Sequence, residues 1–222
     1  MKIKYLIIIL IATVLIEFGQ KEDLISYNKG VENLDFLTQL EIDVISELNN
    51  ARTNPVGFAE YLVEFRKFFV GNYIQIPGRD FIITKEGVSA VNEAIEFLRT
   101  AKPVPPLAIS RGISLAAKSH VENQGPEGFI SHRGTDGSSP MDRMNRFGEL
   151  EGAWGECIDF GSNTARRIVM QLIIDDGVKD RGHRKAIFNP KFNVTGAAFG
   201  PHSGYGSMCV IDFATGFKEK DI

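Results

Sequence analysis

The sequence predicts an α+β domain in which helices come first and strands follow. Over the first two-thirds of the chain, apolar residues recur at spacings of three and four, as on one face of a helix. Near the C-terminus, residues 193–199 and 207–214 are rich in β-formers and flank a glycine-containing loop, a pattern typical of an antiparallel hairpin. Helices and strands that are segregated along the chain favour the α+β class.

Helices are expected where the helical spacing of apolar residues follows a residue that commonly begins a helix. Asn54 followed by Pro55 is an N-cap with proline at the first helical position, and Ser110 and Thr164 are further N-cap candidates. Residues 70–84 are predicted to be irregular, and the three prolines of residues 102–106 indicate a loop. The predicted helices cover residues 36–52, 55–65, 86–98, 111–124, 140–147 and 165–176, and a further strand is expected over residues 153–160.

Composition is that of an ordinary globular protein. The 222 residues are 43% hydrophobic and 24% charged, which is enough chain for one domain with a sizeable core. The net charge of −3, with no run of Lys or Arg longer than two, argues against a nucleic-acid-binding face.

The first twenty residues have the pattern of a targeting segment. Lys2 and Lys4 precede an apolar run over residues 5–16 that is too short to cross a bilayer easily. Residues 16–20 offer no clear cleavage site, so a cleaved signal peptide and an uncleaved signal anchor both stay open. We expect a secreted or extracellular protein, and the alternative is a protein anchored in the membrane by its N-terminus. Membrane association is expected only through such an uncleaved anchor. The expected divisions are a signal or anchor at 1–20, a linker at 21–35, a domain at 36–216 and a tail at 217–222.

Polar groups interrupt the apolar pattern at three places: residues 131–137 (SHRGTDG), 154–157 (WGEC) and 171–190. In the third, a helical run ends in Asp175 and Asp176, and a second break at Gly182 places His183 in a short turn. Helices that stop to present a carboxylate and a histidine indicate a polar site at the edge of a core. We therefore expect two histidines and two acids to share one site.

These motifs, with residues 49–55 (NNARTNP) and 208–214 (MCVIDFA), resemble the CAP superfamily. That superfamily includes cysteine-rich secretory proteins, antigen 5 and pathogenesis-related proteins, and the resemblance is to its cysteine-poor, prokaryote-like branch. It covers about residues 36–216 and implies a three-layer α-β-α sandwich with a central antiparallel sheet. It also implies a cleft formed by His132, His183, Glu156 and Asp176. Asp176 stands where the family has glutamate, and Cys157 where it has asparagine.

Such a cleft has a definite chemistry. His132 and His183 are candidate ligands of a divalent metal such as zinc, with Glu156 and Asp176 accepting the other ring N–H groups. Most catalytic zinc sites have three protein ligands, so two histidines predict modest affinity. The alternative is that the two histidine–carboxylate pairs only satisfy buried polar groups that join helices to loops.

Two functions from different classes are compatible with these residues. The resemblance implies an extracellular binding module for a sterol, a lipid or a protein partner. The alternative is a metal-assisted hydrolase in which Glu156 is a catalytic base. A nucleophilic Cys157 is disfavoured, because neighbouring carboxylates oppose a thiolate. The sequence has no Gly-x-Ser-x-Gly elbow and no phosphate-binding glycine loop.

Cysteine usage is low. Cys157 and Cys209 are the two cysteines, and the sequence allows either a disulfide between them or two buried free thiols.

Asn193 begins a glycosylation sequon that matters if the source is a eukaryote. His120, on the apolar face of its helix, is expected to be buried, and His202, in the hairpin loop, to be exposed.

Overall fold

The computed structural model describes residues 33–78 and 81–220. Residues Asp35–Ile222 form one compact unit. The expected signal or anchor over residues 1–20, and the linker up to residue 32, lie outside the described residues. In the part of the chain that is described, no helix is long and apolar enough to cross a bilayer.

The described elements follow the expected order of helices and then strands. The helices are α1 (Gln39–Thr53), α2 (Pro55–Arg66), α3 (Val88–Thr100), α4 (Arg111–Gln124), α5 (Pro140–Phe147), α6 (Ala165–Ile174) and α7 (Gly182–Ile187). The strands are β1 (Phe69–Val70), β2 (Tyr73–Ile74), β3 (Ile82–Ile83), β4 (Ala108–Ile109), β5 (Gly148–Phe160), β6 (Val194–His202) and β7 (Gly206–Glu219).

The main sheet has the strand order β4-β6-β7-β5. Strand β7 is antiparallel to both β5 and β6, so the predicted hairpin and the predicted antiparallel central sheet are confirmed. The short β4 pairs with β6 in parallel, which the sequence pattern does not reveal because two residues carry no alternation.

Helices cover both faces of this sheet. Helix α4 packs on β6 and β7, and α5 packs against α4 and β5. Helix α1 contacts β6. Helix α6 contacts α1 and β5. Gly196 in β6 permits the close approach of α4, since a Cβ there would lie 2.2 Å from the backbone nitrogen of Ser114. The three-layer α-β-α arrangement is therefore as expected.

The helix starts also agree with the sequence. Asn54 accepts a hydrogen bond from the backbone of Gly57 at 3.0 Å, and Ser110 accepts one from Ile113 at 3.1 Å. Thr164 is the N-cap residue of α6 but makes no side-chain capping bond. Helix α1 begins with a capping box between Thr38 and Glu41.

Arg52 ties α1 to the segments around the site. Its side chain is fully buried and donates to the carbonyls of four residues, Pro105, Ile187, Asn189 and Phe192. Burial lowers the pKa of Arg52 to about 10. Asn49, one helical turn earlier, exchanges hydrogen bonds of 3.0 and 2.8 Å with the backbone of Leu107. Both residues belong to motif 49–55, so that motif acts as a structural clamp.

The prediction that residues 70–84 are irregular is wrong. Strands β1, β2 and β3 form a small antiparallel sheet in the order β1-β2-β3. Each strand is two residues long, too short for the alternating pattern by which strands are recognised in a sequence. The sheet is joined to the domain through Phe65 of α2, whose ring lies 5.3 Å from that of Phe69.

Candidate functional site

His132 and His183 come together as the sequence predicts. Their ring centroids are 6.5 Å apart and the ring planes are inclined by 43°. The side chain of His132 is 56% exposed and that of His183 is 24% exposed, so both reach solvent. Two histidines that are far apart in the sequence thus lie side by side at the protein surface.

Glu156 orients His132. One carboxylate oxygen, Oε1, lies 2.7 Å from Nδ1 of His132, and the other, Oε2, accepts a hydrogen bond of 2.5 Å from Arg143 on α5. The side chains of Glu156 and Arg143 are each 1% exposed. The exposed imidazole is therefore supported by a buried ion pair beneath it.

Asp175, rather than the predicted Asp176, orients His183. Its Oδ1 lies 2.7 Å from Nδ1 of His183, and its Oδ2 accepts from the backbone nitrogen of the same residue at 3.0 Å. Asp175 is 3% exposed and adopts the left-handed conformation, with φ of 58°, at the C-terminal end of α6. Because of this left-handed turn, Asp175 and Asp176 make different contacts, although the sequence alone does not distinguish the two acids.

Asp176 is excluded from the pair. Its carboxylate accepts the backbone N–H groups of Lys85 and Glu86 at 2.6 and 2.7 Å. It therefore anchors the segment that leads into α3, and the prediction that it is the second acid of the cleft is wrong.

Both imidazoles use the same nitrogen for their carboxylate. A carboxylate at Nδ1 holds the ring proton there in the neutral form, which leaves Nε2 with its lone pair. No described residue is a hydrogen-bond partner of either Nε2. The two nitrogens are thus available to an external ligand.

The loop that carries His132 is held by its backbone. His120 Nε2 lies 2.9 Å from the carbonyl oxygen of Ser131, Arg143 donates to the carbonyl of His132 at 3.2 Å, and Gln124 donates to the carbonyl of Arg133 at 2.5 Å. Burial is the main cause that lowers the pKa of His120. Three successive carbonyls are therefore fixed from α4 and α5, an arrangement for which the sequence offered no signal beyond the expected burial of His120.

His202 holds the same loop further upstream. It is 2% exposed, contrary to the expectation that it is exposed, and its Nε2 lies 3.1 Å from the carbonyl oxygen of Phe129. Its Nδ1 accepts from the backbone nitrogens of Gly204 and Tyr205 at 3.1 Å. The hairpin loop folds around the imidazole, which explains its burial.

Asp212 is a buried acid that sequence reasoning did not place at the site. It lies opposite Glu156 in the pairing of β5 with β7, and it is fully buried. Its carboxyl group lies against that of Glu156, and neither oxygen has another hydrogen-bond partner among the described residues. Burial first, and then the charge of Glu156, raise the pKa of Asp212 well above its ordinary value. A buried carboxyl group with a raised pKa therefore lies beside Glu156 on the neighbouring strand.

The cysteines are free. Cys157 lies opposite Ile211 and Cys209 opposite Asp159, so the two stand diagonally on neighbouring strands. Diagonal neighbours are ~7–8 Å apart, beyond the usual reach of a disulfide. Both thiols are fully buried, and burial raises the pKa of each well above its ordinary value. The disulfide alternative is wrong, and burial opposes a nucleophilic role for Cys157.

The sequon at Asn193 lies at the start of β6. Asn193 is exposed, but its side-chain amide donates to the carbonyl of Thr215 at 2.8 Å. Thr195, the third residue of the sequon, is fully buried and donates to the carbonyl of Asp212 at 2.8 Å. Glycosylation of Asn193 stays a prediction.

The donors at the cleft fit a metal only in part. Among the described residues, no three side chains of His, Cys, Asp or Glu are grouped as a set of metal ligands. Two imidazoles that share one tetrahedral zinc would have centroids ~5 Å apart. At 6.5 Å, the rings of His132 and His183 need a small inward movement to meet one ion. The chemistry of the pair is therefore that of a two-ligand site that is open to solvent.

Comparison with known proteins identifies relatives of this chain. The model of the cysteine-rich secretory protein family, CAP, matches residues 88–213. An uncharacterized protein of Bacillus subtilis, YkwD, is 28% identical over 101 residues, which are 46% of this chain and 37% of that protein. This chain thus spans little more than a third of that relative.

Solved structures show weaker similarity. An outer surface protein of Borrelia burgdorferi has a TM-score of 0.43 and 20% identity, over 53% of this chain and 80% of its own. An extracellular protein of Bacillus anthracis that contains an SCP domain has a TM-score of 0.41 and 18% identity, over 57% of this chain and 37% of its own. The matched region of the family model contains His132, Glu156, Asp175 and His183.

Proposed function

This chain belongs to the cysteine-rich secretory protein (CAP) family, and we propose that it is an extracellular binding module whose two-histidine cleft holds a divalent metal ion. The observation that carries this proposal is the shared geometry of His132 and His183. Each ring is fixed through Nδ1 by a buried carboxylate and offers a free Nε2 to solvent. Zinc is the ion best suited to neutral imidazole ligands among those that need no redox chemistry.

The protein's own groups define what the cleft would do. His132 and His183 would hold the ion, while Glu156 and Asp175 keep both rings in the metal-binding tautomer. Bound zinc would supply a Lewis acid with open positions. A carboxylate, phosphate or imidazole group of a lipid or protein partner could occupy such a position. The extracellular location is supported by the basic and apolar pattern of residues 1–20.

The hydrolase alternative is weaker because Glu156 is poorly placed as a base. Both of its oxygens are engaged, one with His132 and one with Arg143, and its side chain is 1% exposed. We therefore propose a positioning role for Glu156 and a binding function for the cleft.

Zinc titration of the full chain by calorimetry tests the metal. The wild type is expected to bind one ion, and the His132→Ala, His183→Ala double variant to lose that binding. Asp176→Asn is the matched control, because Asp176 is close in sequence but bonded elsewhere. Identical weak binding by the wild type and the double variant would defeat the metal proposal.

The partner is tested separately. Delipidated protein is titrated with sterols and fatty acids, with and without zinc. Saturable binding that requires both zinc and His132 supports a lipid partner at the cleft. The absence of any saturable binding removes the lipid version and leaves a protein partner.

A further inference from the structure

The outer face of the small sheet β1-β2-β3 is apolar. Val70 pairs with Tyr73, and Tyr73 pairs with Ile83, so these three side chains form one row across the sheet. Directly paired residues point to the same face of an antiparallel sheet. The exposed fractions are 60% for Val70, 48% for Tyr73 and 76% for Ile83. This row therefore faces solvent across all three strands.

The inner face accounts for the orientation of the sheet. Phe69 pairs with Ile74, and Ile74 pairs with Ile82, in the alternate row. Ile74 is 1% exposed, and the ring of Phe69 contacts that of Phe65 on α2. An antiparallel sheet that packs one face on a core ordinarily carries polar residues on the other. Here both faces are apolar, so the outer row is not explained by packing within the domain.

Neighbouring side chains extend this row into a surface that we call the apolar ledge. It includes Ile82 of the inner row, which is 44% exposed on the edge strand β3. The ledge is composed of Phe68, Val70, Tyr73, Phe81, Ile82 and Ile83. Twelve large hydrophobic side chains are exposed in the described part of the chain, and six of them belong to the ledge. They fall within residues 68–83, whereas the other six are spread over residues 56–205. Clustering of this kind marks an interaction site rather than ordinary scatter.

We propose that the apolar ledge docks on the surface of an anionic lipid bilayer. Residues 64–85 carry four basic and two acidic residues, in a chain whose net charge is −3. Lys85 makes no ion pair with any described residue, and neither does Arg66, whose guanidinium donates to Asn92. Basic residues that flank exposed aromatic and aliphatic side chains in the sequence suit the headgroup region of a bilayer, where phosphates meet the first methylenes.

The size of the ledge favours a bilayer over a second copy of the chain. Six partly exposed side chains present ~600 Å² of surface, less than the ~800 Å² that each partner buries in a standard protein interface. Strands of two residues also offer too few backbone groups for strand addition. Insertion into a bilayer has no comparable minimum area, because each apolar side chain gains by transfer from water on its own.

A tryptophan reporter on the ledge tests this docking in the full chain. The variant Tyr73→Trp, Trp154→Phe is mixed with vesicles of phosphatidylcholine and brominated phosphatidylglycerol. Bromine quenches a tryptophan that enters the bilayer, so the fluorescence reports the ledge itself and not the N-terminal segment, which all variants share. Trp154 of the wild type is the reference reporter. Quenching is expected at Tyr73→Trp, severalfold above that of Trp154, and it should decrease with added salt.

Matched substitutions then separate the ledge from general apolar exposure. In the reporter background, Val70→Ser with Ile83→Ser should lower vesicle partitioning about tenfold. The control, Val56→Ser with Ile130→Ser, changes the same residue types at positions that are 54% and 60% exposed and should leave partitioning unchanged. Circular dichroism confirms that both pairs fold.

Three results would overturn the proposal. The first is a Tyr73→Trp reporter that the brominated lipid does not quench. The second is quenching that is equal on vesicles of brominated phosphatidylcholine alone, which would remove the anionic headgroup. The third is a concentration-dependent dimer, seen by sedimentation, that Val70→Ser with Ile83→Ser abolishes; that result would assign the ledge to a second copy of the chain.

Discussion

The guanidinium of Arg143 lies 2.5 Å from the carboxylate of Glu156, and both side chains are 1% exposed. The same carboxylate fixes the half-exposed ring of His132, and the same guanidinium holds the backbone of that residue. The ion pair therefore links the stability of the fold to the geometry of the cleft. A change in either partner should affect both.

Arg143→Met should destabilise the protein by about 3–5 kcal/mol, because it leaves the carboxylate of Glu156 buried without its counter-charge. The free energy of unfolding in urea measures the loss. Arg146→Met is the matched control, since Arg146 pairs with Asp136 where both side chains are 46% exposed. An exposed pair contributes at most about 1 kcal/mol.

The double variant Arg143→Met, Glu156→Leu should recover part of that loss, because removing both charges leaves neither one unpaired. Recovery is incomplete, since Arg143 also donates to the carbonyls of His132 and Ser138. Equal small losses for Arg143→Met and Arg146→Met would contradict the importance of the buried pair.

Asp175→Asn should weaken zinc binding by about 10–100-fold, the usual effect of removing a carboxylate that orients a histidine ligand. Asp176→Asn should leave the affinity unchanged, because among the described residues its carboxylate bonds only the backbone of Lys85 and Glu86. Calorimetry gives the affinities, and ¹⁵N chemical shifts of His183 give the ring tautomer. If Asp176→Asn had the larger effect, the assignment of Asp175 would be wrong.

Much of the fold and half of the site geometry could be predicted from the sequence. Helical spacing, the Asn54 and Ser110 caps and the C-terminal hairpin are local signals, and the structure confirms them. The resemblance of their motifs to those of the CAP superfamily predicts His132, Glu156 and His183 as residues of the site.

What could not be predicted depends on backbone direction and long-range packing. Asp175 and Asp176 are chemically alike, and only the left-handed turn at Asp175 decides which one faces His183. His120, Gln124 and Arg143 act on carbonyls 9 to 11 residues away in the sequence, and no composition pattern indicates such contacts. Strands β1 to β3 are too short to produce a period.

The two thiols should be unreactive and unpaired in the folded protein. Cys157 and Cys209 are fully buried, so alkylation by iodoacetamide should be slow in buffer and complete in denaturant. Dithiothreitol should not change the Tm, whereas reduction of a disulfide would cost about 2–4 kcal/mol. Intact mass after alkylation counts the free thiols. A mass that shows no modification in denaturant would reveal a disulfide.

Arg52→Lys should destabilise the protein by about 2–4 kcal/mol although the charge is retained, because an ammonium cannot donate to four carbonyls at once and leaves buried acceptors unsatisfied. Urea unfolding measures the loss. The control is Arg99→Lys, an exposed position whose guanidinium contacts Glu96 at 3.3 Å, and it should have an effect within about 0.5 kcal/mol. Similar results for the two variants would show that the contacts of Arg52 contribute little.

The ionisation of buried Asp159 should cost stability as the pH rises from about 4 to 7. Burial raises the pKa of Asp159 from its ordinary value of 3.8 to about 7, against the opposing hydrogen bonds from Ser162. In this window the folded protein keeps the proton that the unfolded chain releases, so increasing pH favours unfolding. The loss reaches at most about 4 kcal/mol. Buried Asp212 acts in the same direction, whereas buried His120, whose pKa is lowered, acts in the opposite direction.

Asp159→Asn should flatten this slope, because an amide fills the same space without ionising. Urea unfolding at several pH values gives the free energies, with Asp43→Asn on the exposed face of α1 as the control that keeps the wild-type slope. Glu86 titrates outside this pH window. Its pKa is lowered to about 2, chiefly by its hydrogen bond from Arg181. The stability that Glu86 contributes is therefore lost only as the pH falls below about 4.5. An unchanged slope in Asp159→Asn would show that Asp159 ionises normally in the folded protein.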